Sequence, residues 1–246
     1  MKVKRAHKPA FPANVSFFYD TLMADAVEFN GGPLKYKDRA AAETAVGNRY
    51  IRMHPETEVE LEHFYDACTE YFDVNVHFNI QGGFKQRAGK LLKAFKQFDV
   101  KSVCEVGIGV GTHSLMLAQQ GYNVTVTASK DKAFDFFLWR LEKYSVPIRI
   151  VQKLTGKFDC VFFLDVIEHV WDPLEFIDAM AMHSNMLLFT QAFGWHDPEH
   201  PEYGGYPYHS DFSFHKVQMH LHSLGYHKQK LQMAFPPHVY RREATA

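Results

Sequence analysis

Val100-Lys-Ser-Val-Cys-Glu-Val-Gly-Ile-Gly-Val-Gly111 is where the chain changes rhythm. Val100 to Val106 is a short, mostly apolar run with β-branched residues, the pattern of a buried strand. Three glycines then alternate with apolar residues, and Thr112 to Gln120 has the composition of a short helix closed by Gly121. A strand that passes through glycines straight into a helix opens a crossover unit, and the residues downstream repeat the alternation. Strands are expected at Tyr122–Ala128, Pro147–Val151, Phe158–Asp165 and Asn185–Thr190. Between them lie helical patterns, one with Phe134, Phe137, Leu138 and Leu141 on its apolar face and Ser129 as its N-cap. Another begins with Asp172 as N-cap and Pro173 at the first helical position. Alternating strands and helices make an α/β fold, a parallel sheet with helices on both faces. The tail, Tyr226–Met233 and His238–Thr245, reads as two more strands.

Upstream, the first 98 residues follow a helical period. Phe18, Leu22, Ala26 and Phe29 form one stripe, stopped by Asn30-Gly-Gly-Pro33. Leu61, Phe64, Cys68, Tyr71 and Phe72 form a second, and Phe84 to Phe98 a third that starts after Gly82-Gly83. The division expected is a helical cap over residues 1–98 and a ligand-binding α/β domain over 99–246.

Composition narrows the function. The 246 residues are 46% hydrophobic with 27 basic against 28 acidic side chains, which excludes a disordered chain and gives no electrostatic case for a nucleic-acid or membrane-surface partner. No apolar run approaches the ~20 residues of a membrane span, and no secretory pattern follows Met1. Cys68, Cys104 and Cys160 form no Cys-x-x-Cys pair and read as reduced core residues, so a cytoplasmic location is expected. Aromatics reach 15%, read as a Phe-rich core rather than an aromatic substrate cage.

The glycine loop selects among ligands. A dinucleotide site needs glycine at the sixth position of G-x-G-x-x-G, and here that residue is Thr112. It also needs an acid at the end of the second strand, where this chain reads Thr127-Ala-Ser129. Glu105, two residues before Gly107, would repel a pyrophosphate and attract an ammonium or sulfonium. With no G-x-x-x-x-G-K-[ST] in the chain, a nucleoside carrying a cationic tail fits best, and S-adenosylmethionine has that form. A nicotinamide oxidoreductase is the weaker reading.

Glu105-Val-Gly-Ile-Gly-Val-Gly111 resembles the first motif, E/D-x-G-x-G-x-G, of the class I S-adenosylmethionine-dependent methyltransferases. Phe158-Asp-Cys-Val-Phe-Phe-Leu-Asp-Val-Ile-Glu-His-Val170, with Trp171-Asp-Pro173, resembles the fourth-strand motif of the branch that includes the ubiquinone-biosynthesis O-methyltransferases. The likeness spans Val100 to Arg241. It implies a Rossmann-like seven-stranded sheet with the last strand antiparallel. It also implies cofactor contacts from Glu105, Gly107, Gly109, Gly111 and Asp165, and methyl transfer to a small-molecule acceptor at oxygen or nitrogen. A catalytically inactive binding protein on the same fold is the alternative.

One position departs from the family. The acid that holds the ribose at the end of the second strand is replaced by Ala128, and Ser129 or Asp131 is left to substitute. On the acceptor side, Asp165, Glu168 and His169 are the residue types of a Mg²⁺, Mn²⁺ or Zn²⁺ site, and the matching positions of the ubiquinone branch are associated with a divalent metal. The other reading has Asp165 contacting cofactor or acceptor while Glu168 and His169 orient the turn. His169 and His196 are the candidate bases for the acceptor's proton. His196 belongs to a long polar, aromatic loop from Gln191 to Ser210 that also contains Trp195, His200 and His209.

Overall fold

In the computed structural model, residues 14–127, 130–190, 209, 213–231 and 237–242 are described, with only the backbone at 82 and 84. Among the described residues six helices precede the sheet: α1 (Phe17–Asp20), α2 (Leu22–Asn30), α3 (Arg39–Met53), α4 (Glu58–Ala67), α5 (Glu70–Asn79) and α6 (Gly82–Gln97). The expected stop after Asn30 is real: Gly31, at φ 66°, donates its N–H to Glu28 and Gly32 donates to Val27, satisfying the last carbonyls of α2. The second stripe divides into α4 and α5 at Cys68 and Thr69. Thr57 and Glu60 close a capping box on α4. α3 was not anticipated. Asp38 caps it by accepting from the Ala41 N–H at 2.9 Å, and Ala42 and Val46 are its buried stripe.

The remainder alternates as expected: β1 (Ser102–Val106), α7 (Thr112–Gln119), β2 (Asn123–Thr127), α8 (Lys132–Tyr144), β3 (Arg149–Ile150) and β4 (Cys160–Leu164). There follow a tight turn (Ile167–His169), α9 (Pro173–Ala181), β5 (Met186–Thr190), α10 (Phe214–Ser223), β6 (His227–Lys228) and β7 (His238–Arg241). The sheet runs β3-β2-β1-β4-β5-β7-β6. β7 is antiparallel to both of its neighbours, and the pairings from β3 to β5 are all parallel. The chain therefore reverses direction across the sheet between β1 and β4, leaving a crevice at their carboxyl ends.

Side-chain alternation along β4 separates two cores. Cys160 and Phe162 join Leu91 and Phe95 of α6 and Leu115 of α7 on one face, whereas Val161 and Phe163 join Ile177 of α9 and Val217 and Leu221 of α10 on the other. Each large side chain so buried contributes about 1.5–3 kcal/mol relative to exposure. A third cluster joins Leu22 and Ala26 of α2, Phe72 and Val76 of α5 and Ala133 and Phe136 of α8 to Val110 of the glycine loop. The helical segment thus packs directly on the loop after β1. Cys68, Cys104 and Cys160 are buried thiols, and among the described residues no helix is long and apolar enough to cross a membrane.

Candidate functional site

A cavity of about 520 Å³ opens over the carboxyl ends of β1 and β4. Its floor includes Glu105, Gly107, Gly109, Asp131 and Asp165, and its roof is made by α4 and α5, including Tyr65, Tyr71 and Asn75.

Gly107, Gly109 and Gly111 have φ of 70°, 51° and 69°, a region that costs an ordinary L-residue about 1–2 kcal/mol. The space beside each is filled by protein. A Cβ on Gly107 would stand 2.6 Å from Val166, on Gly109 2.8 Å from Oδ1 of Asn75, and on Gly111 2.0 Å from the Phe137 ring. The loop needs glycine for its own packing as well as for any ligand.

Glu105, one residue before the end of β1, is almost fully buried. The Ser114 hydroxyl donates to its Oε2, and His113 Nδ1 lies 4.0 Å from Oε1. Burial raises the Glu105 carboxyl to about 8 and lowers His113 to about 3. Both are neutral near pH 7, and a cation arriving at Glu105 would draw its proton off.

Ala128 and Ser129 lie outside the described residues. The N-cap of α8, expected at Ser129, is Asp131, whose Oδ1 accepts from the Phe134 N–H at 2.8 Å. Capping requires the residue immediately before the first helical position, and α8 begins at Lys132. Asp131 lines the cavity, with its carboxyl raised to about 6, chiefly by burial.

Asp165 terminates β4 with φ at 53°, a strained conformation for a residue with a side chain. Its carboxylate is held by Arg87 of α6 and by the Thr190 hydroxyl, which donates to Oδ1 at 2.8 Å. Glu168 is fully buried in the next turn. His169 stands between two phenols, with Tyr65 Oη 2.9 Å from Nδ1 and Tyr71 Oη 2.9 Å from Nε2. A neutral imidazole has one N–H and one bare nitrogen, so one tyrosine accepts and the other donates. His209 packs its ring edge-on to His169 at 4.6 Å and is itself buried.

Among the described residues the candidate metal triad is therefore not assembled. Asp165 is committed to a guanidinium and His169 to two tyrosines, and among the described residues no group of three His, Cys, Asp or Glu side chains is arranged to hold an ion. The five-residue spacing placed the three near one turn without making them converge. His196 lies outside the described residues, as do Trp195 and His200. Tyr65, Tyr71, Asn75 and Arg87 were not anticipated, because each reaches the site from a helix with no local signal beyond an apolar stripe.

Residues 82–224 match a family model described as a methyltransferase domain. The match takes in α6 to α10, with the glycine loop and the turn after β4. The chain belongs to the class I S-adenosylmethionine-dependent methyltransferases. No curated protein matches this methyltransferase in sequence. Solved structures share its fold at low identity. The N-terminal domain of EvdMO1, with S-adenosylhomocysteine (SAH) bound, is 16% identical at a TM-score of 0.50, over 64% of this chain and 81% of that one. TehB from Haemophilus influenzae is 18% identical at a TM-score of 0.50, over 63% of this chain and 62% of that one.

The cavity suits the donor. Its volume lies within the usual range for small-molecule sites. A glycine turn at positive φ permits close backbone approach, and the cavity-lining Glu105 and Asp131 carry carboxyl groups of the kind that accept from an amino group and from hydroxyls.

Proposed function

We propose that this methyltransferase methylates an oxygen or nitrogen of a small molecule bound beneath the helical cap of residues 1–98, on the cofactor domain of residues 99–246. The observation that carries the proposal is one shared cavity, with the glycine loop and Glu105 at one end and the Tyr65–His169–Tyr71 cluster towards the cap.

When bound, S-adenosylmethionine supplies an electrophilic methyl group on a sulfonium. The chain's own residues do the rest. Glu105 would hold the donor's amino group, Asp131 its ribose hydroxyls, and the glycine turn its orientation. Alignment of two reactants contributes several kcal/mol to such a displacement. The acceptor's proton reaches His169 through the phenol that donates to its bare nitrogen: that tyrosine gives its hydroxyl proton to the ring and takes up the acceptor's. α4 and α5 cover the site and exclude water. The likeness of the fourth-strand stretch to the ubiquinone O-methyltransferases favours oxygen over nitrogen.

Glu58 and Glu62 of α4 and Glu175 of α9 line the cavity at exposed positions. An anionic acceptor would meet three carboxylates there, so neutral or cationic acceptors fit. The test is transfer of a labelled methyl group from S-adenosylmethionine to a small-molecule extract, with label followed in the low-mass, protein and nucleic-acid fractions. Label in the low-mass fraction, with SAH binding by calorimetry, supports the proposal. NAD binding without SAH binding, or label confined to macromolecules, refutes it.

A further inference from the structure

Arg140 of α8 is fully buried and does not line the cavity. Its Nε lies 3.2 Å from Oδ2 of Asp25 on α2, and its Nη2 donates to the Phe18 carbonyl at 2.7 Å. Its Nη1 donates to Thr112 Oγ1 at 3.2 Å and to the Val110 carbonyl at 3.4 Å. One guanidinium therefore bonds both helices of the α1–α2 segment and the exit of the glycine loop. Burial lowers Arg140 only to about 10, so it remains charged. Asp25 balances it and also accepts from Lys143 at 2.9 Å and Tyr144 at 2.7 Å.

The loop contact has a geometric consequence. The peptide is planar, so fixing the Val110 carbonyl fixes the Val110–Gly111 N–H on the opposite side. That N–H closes the turn on the Ile108 carbonyl at 2.9 Å. Phe137, three residues before Arg140 and on the same face of α8, fills the space beneath Gly111. The turn is thus held by α8 through one ring and one fork of donors.

We propose that Arg140 is a positioning residue for the cofactor loop, and that its pairing with Asp25 couples docking of α1 and α2 to cofactor affinity. This rests on the reading that Gly107–Gly111 holds S-adenosylmethionine. Coupling of this kind is reciprocal: what the docked segment does for the cofactor, the cofactor does for the segment. The segment from Phe17 to Asn30 is then part of the cofactor site without touching the ligand.

The test must separate positioning from stability. A buried ion pair replaced on both sides by apolar residues commonly leaves stability intact. In Asp25→Leu/Arg140→Met, the thermal midpoint should stay near that of the unaltered protein, while the Kd for SAH by calorimetry rises by about tenfold or more. Arg140→Lys keeps the charge for Asp25 but lacks the planar fork. It should weaken SAH binding while hydrogen exchange of 17–30 stays slow, which keeps the test decisive if the double variant fails to fold. In the unaltered protein, SAH should slow exchange of 17–30. SAH affinity unchanged in Arg140→Lys, or exchange of 17–30 indifferent to SAH, overturns the proposal. An unaltered protein that takes up no SAH overturns the cofactor reading beneath it.

Discussion

The Tyr71 hydroxyl lies 2.9 Å from Nε2 of His169. The two residues are far apart in the chain, and their contact closes the helical cap onto the turn that follows β4. With Tyr65 on Nδ1, both ring nitrogens are occupied from the cap side. His169→Gln should lower kcat by about 10²–10⁴, the range for loss of a general base, with SAH affinity nearly unchanged. Tyr65→Phe and Tyr71→Phe should each cost less, because one phenol remains to orient the ring. Steady-state kinetics with calorimetry on the same preparations checks this. Loss of SAH affinity in His169→Gln would assign the residue to cofactor binding instead.

Glu105 makes cofactor binding depend on pH. Its carboxyl is raised from 4.5 to about 8 by burial. A cationic donor beside it restores ionisation, so binding near pH 7 should release a proton and affinity should rise between pH 6 and 8. Calorimetry in two buffers of different ionisation enthalpy counts that proton, and Glu105→Gln should abolish the release. The same group acts on folding with a definite sign. The fold favours its protonated form, so this contribution to stability is complete below 4.5 and is lost as pH rises through about 8. The slope is at most about 1.4 kcal/mol per pH unit, and Glu105→Gln should flatten it in denaturant titrations.

Gly109→Ala should destabilise the protein by about 1–2 kcal/mol through its positive φ alone, and by more through contact with Asn75. Because the obstructing atom is Oδ1 of Asn75 at 2.8 Å, Asn75→Ala should recover part of that loss in the double variant. Gly111→Ala offers no such relief, since its obstacle is the face of Phe137. Thermal unfolding of the four variants reads the coupling directly. Strictly additive effects at 109 and 75 would mean that the cap does not press on the loop.

Chelators should leave methyl transfer unchanged. Asp165 is bound to Arg87 and Thr190, and His169 to two phenols, so neither is available to an ion without breaking a protein contact. Activity in a strong chelator, with and without added Mg²⁺ or Zn²⁺, measures this. A loss restored by metal would return the site to a metal-assisted mechanism.

The sheet was legible because its cues are local. Glycine closed the helices, Asp172 and Pro173 opened α9, and the shift from a helical to a strand period at Val100 marked β1. α3 escaped notice because its stripe is made of Ala42 and Val46, small residues that barely stand out from an alanine-rich run. The glycine loop and Glu105 were legible for the same local reason. The acceptor side was not. Tyr65, Tyr71 and Arg87 take their meaning from residues about a hundred positions or fewer downstream, and nothing in their own neighbourhood distinguishes them from other amphipathic helix positions. The cap of α8 shows the limit of local reasoning itself: Ser129 and Asp131 are both good capping residues, and only the path of the backbone chooses between them.

The strand order places β7 between β5 and β6, although β6 precedes it in the chain. β6 has no sheet edge to join until β7 has arrived, so β6 attaches either with β7 as a hairpin or after it. Until β7 docks, Leu187 and Phe189 of β5 border an open edge, one that could recruit a strand from another chain. Synthesis from the N-terminus leaves this edge bare longest, which makes the interval before β7 docks the protein's period of greatest risk of misassembly. A pulse of dilution or chaperone during that interval should raise the yield of refolded enzyme, whereas the same treatment after docking should have no effect.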